Sequence, residues 1–351
     1  MKKIIFIALS IAISINVNAQ KKKKEAPKSK YNSGLFSALK FRSVGPAFTS
    51  GRIADIAVNP NNTSQYYLAV ASGGVWKTEN AGNTYTPIFD GEGSYSIGCV
   101  TIDPNNDNVI WVGTGENNNQ RSVAYGDGVY KSLDGGKTWN HVLYVNDQTG
   151  ANDIVIAPSN PDIIYASMWQ HSPEVSGKSS GVYKSIDGGK NWMKAHSGMP
   201  VDGNVGRIGL AVSHSNPNKV YALMDHRNRG QDEGAAKIFR TLDGGKSWNK
   251  THKDEQMFLA GLGWYFADIY VNPQDDEEIF GLGIRVAHST DGGKSFEFLG
   301  GEVYHLFPSA ADPLHLDHCE MWINPLNPNH LALANDGGLY TSYDKGKHWT
   351  H

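Results

Sequence analysis

Carboxylates recur at one position of a repeated segment. Six segments end in Asn/Asp-Pro or a variant, and the residues five positions before that end are Asp55, Cys99, Asp153, Gly209, Asp268 and Glu320. If these segments are strands around one axis, the four carboxylates lie at one level of a central channel, where they can hold a cation or bind a polar ligand. Alternatively, each carboxylate caps backbone groups or pairs with an arginine such as Arg52 or Arg207.

Carboxylates also suggest hydrolysis, because glycoside hydrolysis needs two suitably spaced carboxyl groups. Two further acidic residues lie in polar connections. Glu116 opens the polar insertion at residues 116–127, and Asp317 lies just before the sixth repeated segment. The candidate catalytic residues are Glu116, Asp153, Asp268, Asp317 and Glu320.

His315, Asp317 and His318 have side chains that can ligate a metal, and no other part of the chain has metal-site spacing. We favour hydrogen bonding at the mouth of the channel for these residues, and we expect no metal and no cofactor. Trp264 and Tyr265 are suited to stacking on sugar rings or to packing within the rim. The full set of candidate ligand-binding residues is Arg52, Arg121, Trp169, Arg207, Trp264, Tyr265, His315 and His318. Trp169 is potentially exposed, and it too is suited either to stacking on a sugar ring or to packing within the rim.

A repeated turn positions these residues. Its pattern is Ser/Thr-x-Asp-x-Gly-x-x-aromatic after a short apolar strand, and the key positions are Asn80, Asp134, Asp187, Asp243, Asp291 and Asp344. The Asp accepts hydrogen bonds from nearby backbone N–H groups, and the Gly adopts a positive φ without steric cost. The aromatic residue buries a large area and holds the hairpin on its sheet. We interpret this Asp-box motif as structural in every copy.

The spacing of these turns predicts the architecture. Successive key positions are separated by 54, 53, 56, 48 and 53 residues. A unit of that length with no helical periodicity fits one four-stranded propeller blade with long loops. The sequence therefore predicts an all-β propeller with six visible blades over residues 36–351. Residues 36–46 read as an outer strand without a blade of its own, so we expect an incomplete seven-bladed ring within a longer protein. The alternative is a closed six-bladed ring.

The amino-terminal segment predicts export. Lys2 and Lys3 precede an apolar stretch at residues 4–15, and small residues end at Ala19, so residues 1–19 are predicted to be a cleaved signal peptide. Residues 20–35 form a basic leader, which we interpret as disordered. Beyond residue 30 the chain has 24 basic and 34 acidic residues, a net charge of about −10. We therefore expect a secreted or periplasmic protein without a nucleic-acid partner or transmembrane segment. Cys99 and Cys319 fall in separate blades, so no disulfide is expected.

The turns, together with residues 39–46, 113–128 and 317–349, resemble the Asp-box (BNR-repeat) propeller superfamily. That superfamily includes sialidases, two-propeller xyloglucan-cleaving glycosidases and sortilin-type receptor propellers. The resemblance is greatest to large secreted bacterial proteins labelled glycosyl hydrolase or sortilin N-terminal domain-containing. It covers about residues 36–351 and implies the fold, whereas function must be argued from the site.

The resemblance does not carry the known catalytic residues with it. The xyloglucan-cleaving family has a catalytic Asp where this chain has Ala71 or Ser72, and its second carboxylate lies in a second propeller. Sialidases need an arginine triad, and nothing in the sequence brings Arg52, Arg121 and Arg207 together. Two hypotheses follow. The first is a binding or scaffold module that recognises a peptide, protein or glycan at the channel mouth and loop rim. The second is a glycoside hydrolase with a different carboxylate pair.

Overall fold

The computed structural model describes residues 51–119, 123–171, 176–227, 236–300 and 314–351. The predicted signal peptide, basic leader and outer strand, together with Arg121, lie outside these residues. Within the described ranges, no helix has the length and apolar character needed to cross a membrane.

The described chain forms six antiparallel sheets in sequence order, each corresponding to one predicted repeat. Strands β1 (Ile53–Val58), β2 (Tyr66–Val70), β3 (Gly74–Thr78) and β4 (Thr86–Pro87) form blade 1. Blade 2 comprises β5 (Ile97–Asp103), β6 (Asn106–Thr114), β7 (Val129–Ser132) and β8 (Asn140–Leu143). Blade 3 comprises β9 (Thr149–Ile156), β10 (Ile164–Gln170), β11 (Gly181–Ser185) and β12 (Met193–Lys194).

The second half repeats this construction. Blade 4 comprises β13 (Val205–Val212), β14 (Val220–His226), β15 (Ala236–Thr241) and β16 (Asn249–Lys250). Blade 5 comprises β17 (Asp268–Asn272), β18 (Asp275–Leu282), β19 (Val286–Ser289) and β20 (Glu297–Leu299), and a 3-10 helix at Met257–Leu259 precedes it. Blade 6 comprises β21 (His318–Ile323), β22 (Leu331–Asn335) and β23 (Gly338–Ser342), and an isolated bridge from Thr341 to Thr350 occupies the place of its fourth strand. The predicted all-β propeller with six blades is confirmed.

The repeated turn is closed by side chains that bond to its own backbone. In blade 2, Ser132 Oγ donates to Asp134 Oδ1 over 2.8 Å and accepts from Gly136 N over 2.8 Å, while Thr138 N donates to Asp134 Oδ1 over 2.9 Å. Gly135 and Gly136 have φ of 72° and 89°, which is the left-handed region that glycine adopts without strain. The same pattern of hydrogen bonds occurs in the other five turns.

Antiparallel order places the two kinds of connection at opposite ends of each blade. The turns between first and second strands and the repeated turns lie at one end, which we call the turn end. The connections between second and third strands and those between blades lie at the other, which we call the strap end. Side chains also bond across blades at the turn end, where Lys131 Nζ donates to Gly188 O and Lys184 Nζ to Gly244 O, each over 2.8 Å.

Neighbouring blades pack through the apolar residues of their first strands. The residues one and three positions after the channel-level position are buried in blades 2 to 6: Val100, Ile102, Ile154, Ile156, Leu210, Val212, Ile269, Val271, Met321 and Ile323. In blade 1 the equivalent residues, Ile56 and Val58, are 52% and 48% exposed. On blade 6, Trp322 is 49% exposed on the side that faces away from blade 5. These two uncovered faces are where a further blade was predicted, and that part of the expectation stays a prediction.

This difference in burial predicts different costs for the same substitution. Ile154 is 4% exposed, so Ile154→Ala should lower the free energy of unfolding by about 2–4 kcal/mol through lost burial and a residual cavity. Ile56→Ala should cost less than about 0.5 kcal/mol, as exposed substitutions do. Urea unfolding of the two variants and the parent measures both values. Equal losses would show that the outer face of β1 is covered in solution.

Candidate functional site at the channel

The first strands of all six blades surround a cavity of about 380 Å³. Its lining includes Asp55, Asp153, Asp268 and Glu320, the four carboxylates predicted to share one level of the channel. Cys99 and Cys319 also line it, and both are free thiols. The repeat therefore brings four acidic side chains from blades 1, 3, 5 and 6 to one site.

Each of these carboxylates bonds to a neighbouring blade. Asp55 Oδ2 accepts from the backbone N–H of Val100 over 2.8 Å, and Asp153 Oδ2 accepts in the same way from Leu210 over 2.7 Å. In both cases an aspartate ties its blade to the first strand of the next blade. This is the capping role that the sequence left open as an alternative.

The other two carboxylates bond to side chains of the preceding blade. Asp268 Oδ1 accepts from Arg207 Nη2 over 2.7 Å, and Glu320 Oε1 accepts from the Tyr270 hydroxyl over 2.7 Å. Arg207 is buried and also donates to the carbonyl oxygens of Tyr265 and Phe266. The hydrogen bonds of Arg207 therefore join blade 4 to blade 5.

Burial dominates the electrostatics of the channel. It raises the pKa of Asp55 to about 6 and that of Asp153 to about 7, because loss of hydration outweighs the backbone N–H donors that favour the charged form. Glu320 has surface open to solvent, yet burial in the channel and repulsion by Asp55 raise its pKa to about 8. Burial also raises the pKa of Asp268, against the opposing effect of Arg207. Near neutral pH some of these four carboxyl groups, which we call the carboxylate ring, therefore remain protonated. The channel then offers both hydrogen-bond donors and acceptors.

A polar segment, which we call the strap (residues 115–119), crosses the strap end of the channel from blade 2. Arg52 on blade 1 pairs with Glu116 and also donates from Nη2 to Asn118 Oδ1 over 2.9 Å. Asn117 lines the cavity and donates from Nδ2 to Ala54 O over 3.2 Å. The strap is thereby fixed to blade 1.

The far end of the strap reaches two more blades. Asn119 N donates to Trp264 O, and Asn119 Nδ2 donates to His171 O, each over 3.0 Å. His171 is buried beside Trp169, with ring centroids 5.1 Å apart, and burial lowers its pKa to about 4. Four blades thus contribute to a polar cover over this end of the channel, with Asn117 facing the cavity.

The histidine segment before β21 lies beside the strap end of blade 6. His318 is buried, and burial lowers its pKa to about 4. Asp317 has a left-handed φ of 67°, and burial followed by repulsion from Asp336 raises its pKa. Burial raises the pKa of the Tyr265 hydroxyl, and the charges of Arg52, Asp317 and Asp336 also act on it. Within the ranges described above, no group of three or more His, Cys, Asp or Glu side chains is placed to hold a metal ion.

Two ligand-binding candidates are occupied by contacts within the protein. Trp169, for which stacking on a ligand and packing were both open, is fully buried, because β10 places it against the core, so it has no free face for a ligand. The guanidinium of Arg207 is engaged by Asp268 and two carbonyl groups, which is the arginine pairing that the sequence offered as the alternative to ligand binding. Trp264 and Tyr265 are half-buried and pack edge to face with centroids 5.9 Å apart.

Three structural contributors were missed. Asn118, Asn119 and Tyr270 organise the strap and the carboxylate ring, yet none was singled out from the sequence. The run of polar residues after Glu116 signalled an unusual connection, but its partners on other blades lie more than 50 residues away. Tyr270 gave no signal, because one tyrosine in an apolar strand is common.

Fold and site together define a propeller whose channel is lined by carboxylates and covered by a strap at one end. A family model described as "Sortilin, neurotensin receptor 3" matches residues 127–282, which is less than half of the chain. A probable oligoxyloglucan-reducing end-specific xyloglucanase from Neosartorya fischeri is 24% identical over 202 residues, covering 55% of this chain and 23% of that protein. The chain thus spans about a quarter of the length of this curated relative.

Two solved structures share the fold. The GH74 enzyme from Niastella koreensis superposes with a TM-score of 0.53 and 21% identity, covering 84% of this chain and 49% of that chain. YCF48 bound to D1 peptide superposes with a TM-score of 0.53 and 16% identity, covering 86% and 82%. At these identities the likeness shows the fold. The predicted resemblance to sortilin-type and xyloglucanase-type propellers is confirmed at that level.

The raised pKa values predict a dependence of stability on pH. A carboxyl group whose pKa is raised in the folded chain loses its proton more readily when the chain is unfolded. Its contribution to stability is therefore complete below its unfolded pKa, 3.8 for Asp153 and 4.5 for Glu320, and is lost as the pH rises through its folded pKa. Above about pH 6.5 the buried His171 and His318, whose pKa values are lowered, are neutral in both states and no longer contribute. From there to about pH 9 we expect the melting temperature to fall, and Asp153→Asn to remove about 2–3 °C of that fall.

The matched control is Asp134→Asn in the turn of blade 2. Hydrogen bonds from Thr138 and Ser132 lower the pKa of Asp134 to about 2, so it does not titrate in this range. Asp134→Asn should lower the melting temperature equally at both pH values. Calorimetric scans of the parent and both variants give the slopes, and an unchanged slope in Asp153→Asn would contradict the pKa assignment.

The Arg52–Glu116 pair predicts an asymmetry, because the Glu116 side chain is 2% exposed and that of Arg52 is 40% exposed. Arg52→Ala leaves a buried carboxylate without its cation and should cost about 3 kcal/mol. Glu116→Gln keeps an acceptor and leaves a guanidinium that water can reach, so it should cost about 1 kcal/mol. Urea unfolding measures both, and the reverse order would show that the strap does not depend on this pair.

Proposed function

We propose that this protein is a secreted propeller module that binds a peptide, protein or glycan at its strap end and does not hydrolyse it. The observation that carries this proposal is the engagement of four of the five candidate carboxylates. Glu116 and Asp268 are paired with arginines, whereas Asp153 and Glu320 bond to a backbone amide and a tyrosine hydroxyl. Secretion is supported by the predicted signal peptide at residues 1–19.

The strap end supplies the binding surface in this proposal. The strap, Asp317, Asp336 and the half-buried Tyr265 offer donors, acceptors and an aromatic ring around one mouth. Loops held on a rigid scaffold are common binding sites. Propeller architecture is compatible with such a role, because a structure of YCF48 is described as bound to a peptide.

Glycoside hydrolysis is the second candidate, and the pKa values favour it. A general acid near neutral pH needs a carboxyl group whose pKa is raised, and the pKa values of Asp153 and Glu320, about 7 and about 8, meet that need. The curated relative is named as a xyloglucanase, which adds a glycan to the ligands worth testing.

One experiment separates the two functions. The full chain is screened against immobilised peptides and glycans, and every glycan that binds is incubated with the protein and analysed for released reducing ends. We expect binding without turnover, and we expect Asp317→Asn and Asp336→Asn to weaken it about three- to tenfold through lost hydrogen bonds.

The control for the mouth variants is Asp275→Asn, which changes an exposed aspartate at the start of β18, at the turn end, and should leave binding unchanged. Hydrolysis that disappears in Asp153→Asn or Glu320→Gln would overturn the binding module in favour of the hydrolase. Binding that is insensitive to both mouth variants would overturn the proposed site.

A further inference from the structure

A groove between the outer strands of blade 3 and the repeated turn of blade 4 shares no lining residue with the channel cavity. It has a volume of about 560 Å³. Its charged and large apolar side chains are Lys184, Ile186, Met193, Lys194, His196 and Lys246, and none of its lining residues is acidic. We call it the lysine groove. Because the chain beyond residue 30 is acidic, a groove that gathers three lysines departs from the overall charge.

Two of these lysines bond to backbone carbonyl groups rather than to carboxylates. Lys184 Nζ donates to Gly244 O over 2.8 Å, and Lys194 Nζ donates to Lys178 O over 3.1 Å. A carbonyl oxygen does not cancel the charge of an ammonium group, and that group has three N–H donors, so Lys194 keeps donors for a ligand. Lys246 is exposed on the repeated turn of blade 4. The lysines therefore keep their charge in the groove.

The equivalent groove between blades 4 and 5 has a carboxylate that the lysine groove lacks. Arg240 takes the place of Lys184, since each lies one residue before the Thr or Ser of its repeated turn. Arg240 Nη1 donates to Glu277 Oε2 over 3.0 Å. The backbone carbonyl of Glu277 accepts from the first glycine of the turn in its own blade, and that of Asn218 does the same in blade 4. A neutral amide thus occupies the place of the carboxylate.

The amide lies beside the ammonium group. A Cβ built on Gly244 would lie 2.8 Å from both Asn218 Oδ1 and Lys184 Nζ. The second cation differs in the same way, because Lys250 is equivalent to Lys194 and pairs with Glu255 over 3.4 Å. Carboxylates of the protein thus neutralise these positions between blades 4 and 5, whereas the lysine groove has none in its lining.

Burial and repulsion both act against the positive charges of the groove. Burial, with repulsion from Lys246, lowers the pKa of Lys184, although Asp243 acts in the opposite direction. Burial lowers the pKa of Lys194, and burial with repulsion from Lys194 lowers that of His196. His196 Nδ1 is buried and has no hydrogen-bond partner among the described residues. A bound anion would oppose these effects, because it supplies the opposite charge and an acceptor.

Charge and shape together restrict the ligand. Three ammonium groups favour an anion with more than one negative charge, and lysine binds phosphate as a point charge. Ile186 and Met193, which are 58% and 55% exposed, add apolar surface to the same groove. A cavity of this volume suits a small molecule or a headgroup.

We propose that the lysine groove binds a phosphate monoester that carries an apolar group. Lys194 and Lys246 contact the phosphate, while Lys184 adds its charge and stays bonded to blade 4. Ile186 and Met193 pack against the apolar part. This chemistry occurs in the headgroup region of phosphatidic acid and in soluble alkyl phosphates. The inference does not depend on the proposed function of the strap end.

The test is isothermal titration calorimetry of the full chain with hexyl phosphate, inorganic phosphate and hexanoate. We expect hexyl phosphate to bind at one site and at least about threefold more tightly than the other two, because only it has both the phosphate and the apolar group. Asn218→Glu introduces the carboxylate of the neighbouring groove and should weaken this binding about tenfold. Lys246→Gln should weaken it about three- to tenfold.

The matched control is Lys294→Gln, since Lys294 is exposed at the position of Lys246 in the next repeated turn. Its affinity should be unchanged, and melting temperatures verify that all variants are folded. Absence of binding by hexyl phosphate would overturn the proposal. Equal losses in Lys294→Gln and Lys246→Gln would also overturn it, because they would show general charge attraction rather than a site. Hexanoate that binds as tightly as hexyl phosphate would contradict the preference for phosphate.

Vesicles distinguish the two sources of the phosphate. The chain is sedimented with vesicles of phosphatidylcholine alone and with vesicles of phosphatidylcholine and phosphatidic acid in equal parts. Sedimentation that requires phosphatidic acid and is lost in Asn218→Glu supports the lipid headgroup as the ligand. Binding of hexyl phosphate without sedimentation supports a soluble ester. Sedimentation that Asn218→Glu leaves unchanged would contradict a lipid site in this groove.

Discussion

Packing between the first strands of successive blades is the constraint on which the structure depends. Each blade is a small sheet that cannot bury both faces alone, so its neighbours must cover it. Leu210 and Val212 face blade 3, and Ala211 on the alternate face packs with Ile269 and Val271 of blade 5. Because side chains alternate along a strand, this packing also determines which residues reach the channel. The carboxylate ring is therefore a consequence of how the blades pack.

Two sets of aspartates show how environment decides the charge state. Asp134 in the turn of blade 2 is hydrated and accepts hydrogen bonds from Ser132 and Thr138, so its pKa falls to about 2. Asp153 accepts one backbone N–H in the channel, and burial raises its pKa to about 7. For buried Asp153, one hydrogen-bond donor does not compensate for the lost hydration of the carboxylate. Asp134 keeps its hydration and gains several donors as well, so its charged form is favoured. The same residue type thus stabilises a turn as an anion and lines the channel partly as an acid.

The sequence was sufficient to predict whatever repeats. The spacing of the six turns predicted six blades, and counting back from Pro60 or Pro158 correctly placed Asp55 and Asp153 at one level of the channel. It failed where single contacts join distant parts of the chain. The bond from Asn119 to His171 joins residues 52 positions apart, and no local pattern encodes such a pairing. The place of Trp169 stayed open in the sequence, because an aromatic residue at the end of a strand looks the same in sequence whether it faces the core or a loop.

The two ends of the propeller are chemically unequal, and this inequality is why the proposed binding surface is the strap end. At the turn end, the Asp and Ser side chains and the Gly backbone N–H groups form hydrogen bonds within each turn. Lys131 and Lys184 donate hydrogen bonds to the turn of the next blade. Those groups have little capacity left for a ligand. At the strap end, connections differ from blade to blade, and they carry exposed groups such as Asp336 and Tyr125. Because the strap covers this end of the channel, a ligand arriving here meets loops and rings before any channel carboxylate. Recognition by a surface is therefore more consistent with this architecture than threading of a chain through the ring.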